Sequence, residues 1–321
     1  MKSHKILLLS ALLTVVAGVS EAQIYPARSV HMVIPFSPGG ASDTVGRLVA
    51  EKMSDTLKQP VVVENVDGAA TRIGATRVAK SPNDGYTVLV ATSATLAIAP
   101  HLYRKMEYGV QDFEPITMLA KYPMAMVVSI DSPIHDLKEF VAYAKAHPGQ
   151  LSYGMAGIGG TAHLVGKIVE QALGISMTGV PYRGSAGMVP DLLGGRLDLY
   201  FDATAGALPL WKSGKVRILA LTGAERMPGA ESLPTFLESG YPNIVYYNTL
   251  SLVAPARTPK AIVDQQNAAA VLALKTEHVR SLLLANGTQP NPTTPERASE
   301  EIKNEYDATG PMVRLTGVQL D

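Results

Sequence analysis

Short apolar runs rich in β-branched residues recur along this chain, and most end in a glycine- or serine-rich turn that opens into a helical pattern. Val30–Phe36 leads through Ser37-Pro38-Gly39-Gly40 into a segment with Val45, Leu48, Val49, Met53 and Leu57 at helical spacing, where Ser42 or Asp43 is the expected N-cap. Val61–Asn65 is followed by a Gly/Ala-rich turn and a short helix around Ile73–Lys80, and Thr87–Ala91 runs into Thr92-Ser93-Ala94-Thr95. The pattern begins again with a strand at Met124–Ile130, a helix at Leu137–Ala146 and a strand at Leu151–Met155. The loop Ala156–Gly160 follows, and Thr161 is the expected cap of a helix running to Leu173. Further strands fit Thr178–Tyr182, Leu197–Phe201, Val216–Leu221 and Leu250–Ala254, with a helix at Ser185–Leu193. Three C-terminal helices remain, the first opened by Thr258-Pro259 and the third by Thr294-Pro295. Alternation of this kind predicts parallel sheets with right-handed crossovers, here in two α/β lobes, with the polar segment Tyr108–Pro115 just before the crossing between them.

Composition narrows the function. The 321 residues hold 28 Lys and Arg against 28 Asp and Glu, so the chain lacks the basic footprint a nucleic-acid binder needs. It has no cysteine, which removes disulfides, thiolate metal sites and a cysteine nucleophile. Met1–Ala22 reads as a secretory signal peptide: Lys2, His4 and Lys5 precede an apolar Ile6–Val19, and Ser20-Glu21-Ala22 supplies the small residues of a cleavage site. Its apolar run is short of the roughly twenty residues a membrane span needs, and no later stretch approaches one. The expectation is an exported chain, cleaved near Ala22, that is not embedded in a membrane.

In an α/β sheet, ligands bind where strand C-termini meet helix N-termini, so the loops after the strands are the places to look. In Phe36-Ser37-Pro38-Gly39-Gly40-Ala41-Ser42-Asp43 two glycines can turn backbone N–H groups toward one point ahead of a helix N-terminus. That is the construction of an anion site, or else an ordinary strand–turn–helix in which Asp43 caps and organises. Arg72, after Asp67-Gly68-Ala69-Ala70-Thr71, is either a two-pronged partner for a carboxylate or a solvated surface charge. Ser93 lies among hydroxyls of which helix capping claims at least one. Gly157-Ile158-Gly159-Gly160-Thr161-Ala162 matches the weaker form of a dinucleotide fingerprint, but no acidic residue closes the next strand, and a loop serving a carboxylate is the better reading. His163 either contacts a ligand or packs on the sheet, and Asp202 is either a helix cap or a ligand group. There is no H-E-x-x-H, no G-x-S-x-G and no P-loop, and the histidines lack metal spacing, so no catalytic residue, metal or cofactor is expected.

One family carries this arrangement. Tyr25-Pro26-Ala27-Arg28, the run Pro35–Asp43, Gln59–Asn65, Asp84-Gly85-Tyr86-Thr87, Pro181-Tyr182-Arg183-Gly184, Asp191-Leu192-Leu193-Gly194-Gly195 and Phe201-Asp202 follow one another in order. Together they resemble the Bug family, the substrate-binding components of tripartite tricarboxylate transporters, over almost the whole chain from about residue 25 to Asp321. The resemblance implies a type II periplasmic binding protein in which two α/β lobes, 23–122 plus 251–321 and 123–250, close on a ligand cleft. It implies a monomer that takes a small carboxylate and passes it to integral-membrane transporter subunits. The ligand contacts it implies are Phe36, Ser37, Gly39, Gly40, Ala41 and Asp43 at one end. Gly159, Gly160, Thr161, His163 and Asp202 stand at the other, and the reading of the residues adds Arg72 and Ser93.

Several positions depart from the family pattern. The usual G-A-G-G-N is Gly68-Ala69-Ala70-Thr71-Arg72, S-x-G-N-G-S is Met155-Ala156-Gly157-Ile158-Gly159-Gly160, and Asn248-Thr249 stands near the usual hinge aromatic. The cation in place of an amide favours a ligand with an extra or bulkier acidic end, and fewer polar side chains suit a dicarboxylate with an apolar or aromatic middle. A periplasmic hydrolase on the same architecture and a ligand-presenting sensor subunit are the rival readings.

Overall fold

Strand β1 (Val30–Ile34) is buried on both faces. Met32 and Ile34 belong to the cluster that holds Val49 and Met53 of α1 (Ala41–Leu57), and Val33 to the one with Ala75 and Val78 of α2 (Arg72–Ala79). A strand covered from both sides reads as a continuous apolar run and not as an alternation, which is why it was visible in the sequence. The computed structural model describes residues 25–182 and 185–321; the expected leader Met1–Ala22 and the motif positions Arg183 and Gly184 lie outside the described residues.

β1 pairs in parallel with β2 (Val61–Asn65) and β3 (Thr87–Thr92). A parallel group also forms from β5 (Ser152–Ala156), β6 (Thr178–Tyr182) and β7 (Leu199–Ala203). The sheet that contains both groups is nonetheless mixed. Its order is β2-β1-β3-β9-β4-β7-β5-β6, where β4 (Phe113–Ser129) and β9 (Tyr247–Pro255) run antiparallel to each other and to their neighbours β7 and β3. β8 (Val216–Leu221) and the two-residue β10 (Gln289–Pro290) also pair with β4.

β4 is the strand the sequence showed least completely. It is 17 residues long, where the apolar pattern marked only Met124–Ile130. Its first part carries Glu114, Pro115, Thr117 and Lys121, and its ladder slips at Pro115/Thr117 and Met118/Ala120. A proline has no N–H to give a ladder, so it lies at irregularities of this kind. Phe113–Pro123 pairs with β9, and Met124–Ser129 pairs with β7 and β8. β9 starts beside the change-over, with Tyr247 opposite Pro123. Thr222 stitches the same point: its Oγ1 accepts from the Met124 N–H at 2.8 Å and donates to the Tyr246 carbonyl at 2.6 Å.

Helix starts differ from the expected caps by one to three residues. Gly40, not Ser42 or Asp43, is the N-cap of α1, and Gly160, not Thr161, is that of α5 (Thr161–Leu173). In each case the extended residue before the helix is a glycine, which leaves the polar side chain free to point elsewhere. The first C-terminal helix, α8 (Lys260–Lys275), has Pro259 as its cap, while the Thr258 hydroxyl donates back to the Pro255 carbonyl at 2.7 Å. Thr294 does cap α10 (Pro295–Leu315), accepting from the Arg297 N–H at 3.3 Å. α10 packs against β4, α5, α8, the π-helical turn Ala94–Ile98 and the short α3 (Ala99–Leu102). Among the described residues no helix is long and apolar enough to cross a membrane.

Candidate functional site

The C-terminal ends of β3 and β7 reach the crossing strands from opposite sides. Thr92 is level with Leu250 of β9, and Ala203 is level with Met124 of β4. The helical segments that begin there bring Ser93 from one side, and Thr161 and Asp202 from the other.

Ser93 is buried, and its Oγ accepts from the Thr249 N–H at 2.8 Å. The Thr249 hydroxyl in turn donates to Glu305 Oε2 of α10 at 2.6 Å. From the other side, the Thr161 hydroxyl reaches Asn248 Oδ1 at 3.4 Å, and Asn248 Nδ2 donates to the Tyr122 hydroxyl. Asp202 is buried, with Oδ1 accepting from the Ala203 N–H at 2.9 Å. Burial pushes the Tyr122 phenol up to about 12 against the Asn248 bond that lowers it, and the Asp202 charge adds to the rise. The phenol is therefore a neutral group that donates or accepts. Thus Ser93, Thr161 and Asp202 are drawn around one polar strip formed by Tyr122, Asn248 and Thr249.

Gly159 and His163 make the turn before α5. The Gly159 N–H donates to His163 Nδ1 at 3.1 Å, which assigns that nitrogen as an acceptor. Burial first, and then the Lys167 charge, hold the imidazole below its ordinary range, so the ring is neutral at pH 7. Gly160, just ahead of Thr161, leads the backbone into the helix.

The Phe36–Asp43 loop is tied to the end of β2. The Phe36 carbonyl accepts from Asn65 Nδ2 at 3.0 Å, and the Ser37 hydroxyl bonds the Asp67 carboxylate. Asp43 is buried and accepts from the Gly39 N–H at 2.9 Å, from Arg47 Nε at 3.0 Å and from Asn65 Nδ2 at 2.9 Å. Burial pushes its carboxyl up, but these donors outweigh it and leave the group below the usual range. Asp43 thus has its lone pairs committed to shaping the turn, while Ala41 presents the first backbone amide of α1 just after the cap Gly40.

Arg72 is placed by stacking. Its guanidinium carbon lies 3.8 Å from the centre of the Tyr103 ring, and Nε donates to the Ala69 carbonyl at 3.1 Å. Beside it is a cavity of about 120 Å³ lined by Ala69, Ile73, Thr76 and Glu107. The residues before it, Ala69, Ala70 and Thr71, all have left-handed backbone, with φ of 47°, 51° and 80°.

Tyr122, Tyr246 and Glu305 were not singled out from the sequence. For Glu305 a signal exists: Ala298, Ile302, Glu305, Thr309 and Val313 fall on one face of α10, and their neighbours on that face are buried. A carboxylate on a core-facing stripe is either paired or functional. Tyr122 and Tyr246 are aromatic residues in apolar surroundings and carry no such mark.

An α/β framework with helix N-termini facing a polar strip from both sides, and two long strands passing between them, is that of a periplasmic solute-binding protein. Residues 45–318 match the sequence model of the tripartite tricarboxylate transporter family receptor. The periplasmic binding protein BugD is 35% identical with a TM-score of 0.84, over 92% of this chain and 100% of that one. Rpa4515 of R. palustris, solved with adipate, is 32% identical with a TM-score of 0.86, over 92% of this chain and 100% of that one. MatC from Rhodopseudomonas palustris, solved with bound malate, is 32% identical with a TM-score of 0.82, over 90% and 100%. The chain belongs to the tripartite tricarboxylate transporter receptor family, that of the Bug proteins. It is a solute-binding receptor and not an enzyme, as its family is.

Proposed function

We propose that this receptor is exported to the periplasm after cleavage near Ala22, binds a small dicarboxylate with an apolar or aromatic middle, and delivers it to integral-membrane transporter subunits. Two lobes, 23–122 with 251–321 and 123–250, would close on the ligand across β4 and β9. The observation that carries the reading is the polar strip itself. Ser93 and Thr249 meet Thr161 and Asn248 there, with the N-terminus of α5 adjoining, so the site offers hydroxyls, amides and helix-terminal N–H groups. Such groups hold a carboxylate by oriented dipoles, without a buried ion pair whose desolvation would have to be offset. The relatives solved with adipate and malate support the carboxylate class. The loop Phe36–Asp43, Arg72, Gly159, Gly160, His163 and Asp202 complete the proposed ligand shell.

Calorimetric titration of the purified mature chain with adipate, terephthalate, malate, citrate and aspartate tests this. Tight binding of adipate or terephthalate is the expected result. Tight binding of citrate or aspartate with none of the apolar-centred diacids would overturn it.

A further inference from the structure

Glu305 has one oxygen in use. Oε2 accepts from Thr249, whereas Oε1 is buried without a hydrogen-bond partner. The hydroxyl of Tyr246, a residue only 7% exposed, is also buried, within reach of the Ser93 and Thr161 hydroxyls. A buried carboxyl oxygen left unpaired is costly, so Oε1 calls for a partner that the fold itself does not supply. The cluster spans the crossing: Ser93 follows β3, Thr249 is on β9, Thr161 opens α5 and Glu305 comes from α10.

Among the described residues no cation acts on it: Lys121 of β4, level with Thr249, is turned to the Tyr247 ring, with its Nζ 5.0 Å from the ring centre. Glu301, one turn earlier on α10, has the same sign, and Tyr246 and Tyr122 are neutral phenols held up by burial. From α3, His101 is turned to the Tyr306 carbonyl at 2.8 Å, and from α5, His163 is a neutral acceptor from Gly159. Burial pushes the Glu305 carboxyl above its ordinary range, against the Ser93 and Thr249 hydroxyls that pull it down.

We infer that Glu305 is a specificity-determining residue that meets one end of the bound solute as a neutral carboxyl, donating from Oε1 to a ligand carboxylate oxygen while Thr249 holds Oε2. This deepens the carboxylate reading above and rests on it. A carboxyl–carboxylate bond is a charge-assisted O–H···O⁻ contact, among the stronger hydrogen bonds available to a protein. Ionised, the same oxygen faces the ligand with like charge. Binding therefore requires the protonated receptor, and affinity falls as pH rises through the Glu305 titration, by up to about tenfold per pH unit above it.

The test is calorimetric titration with adipate, terephthalate and malate from about pH 5 to about pH 9 on the wild type, Glu305→Gln and Glu305→Ala, with thermal unfolding confirming that each variant folds. The wild type is expected to weaken with rising pH. Glu305→Gln, whose amide still donates, should bind within about threefold of the wild type at low pH and lose the pH dependence. Glu305→Ala should lose about tenfold or more, which is about 1.4 kcal/mol. A flat wild-type profile, affinity that rises with pH, or equal losses in the two variants would overturn the inference. Infrared difference spectra of wild type against Glu305→Gln provide a readout without ligand: a carboxylic C=O band at neutral pH is expected. Its absence would sink the neutral carboxyl while leaving the dicarboxylate reading intact, whereas failure of every diacid to bind would remove both.

Discussion

Gly159 rests on Leu102. A methyl group in place of its hydrogen would lie 1.9 Å from Leu102 Cδ2, and the glycine has a φ of +81°. Through this contact the turn that begins α5 meets the end of α3, which belongs with β3 and α10 on the other side of the crossing strands. The absence of a side chain at this position lets the two sides approach.

Gly159→Ala is therefore expected to hinder that approach more than it harms either half. The left-handed backbone and the displaced Leu102 both oppose the contact between α5 and α3 on which the proposed lobe closure would depend. If the proposed closure holds, affinity for a diacid should fall about tenfold, the effect of about 1.4 kcal/mol against a closed form. Calorimetry measures the loss, and small-angle scattering should show a more open particle. Unchanged affinity would show that the contact does not control binding.

Ala70 is exposed and has a φ of 51°, a left-handed conformation that favours glycine. A left-handed non-glycine residue costs roughly 1–2 kcal/mol, and a glycine costs back about 0.5–1 kcal/mol in unfolded-chain entropy. Ala70→Gly should stabilise the protein by roughly 0.5–1 kcal/mol, read as a higher urea midpoint at unchanged slope. A lower midpoint would mean that the turn is unstrained. Thr71 is a poorer test, because its hydroxyl also accepts from Thr95 Oγ1 at 3.1 Å.

Asp43→Asn removes a charge that three donors share. The loss should be about 2 kcal/mol, typical of hydrogen bonds to a charged group, and calorimetric or urea unfolding measures it. Because the folded carboxyl lies below its ordinary range, its stabilising contribution is full above about pH 4. It is lost as pH falls through the lower folded value, so wild type should weaken on acidification more than the variant does. Parallel acid profiles for the two proteins would refute this role.

Arg72→Ala is expected to lower affinity for a dicarboxylate by more than tenfold, about 1.4 kcal/mol. Arg72→Lys should recover little, since an ammonium reproduces neither the flat stack on Tyr103 nor a two-pronged grip. Binding titrations of both variants decide it. Unaltered affinity in Arg72→Ala would confine the guanidinium to the Tyr103 ring and the Ala69 carbonyl.

Much of the framework was legible because its signals are local. β1, β2, β3 and β8 lie where their apolar runs lie, and Thr294-Pro295 opens α10. The cap of α1 was misread because a polar side chain in a first turn can serve either the helix or the loop before it. Asp43 turns back to Gly39, and only the folded loop shows that choice. The first part of β4 was hidden because its polar residues and prolines break any periodic pattern. Its pairing with β9 joins residues far apart in the chain.

The amino-acid sequence by itself determined the order of strands and helices, the glycine turns after the strands and the absence of cysteine chemistry. Each depends on a residue and its near neighbours. Only the tertiary structure decided that β4 changes partners at Pro123, that Ser93 meets Thr249, and that Glu305 is carried into the polar strip. Periodicity records which face of α10 is covered but not what covers it. Burial beside β9, with no cation acting on it among the described residues, raises the Glu305 carboxyl above its ordinary range.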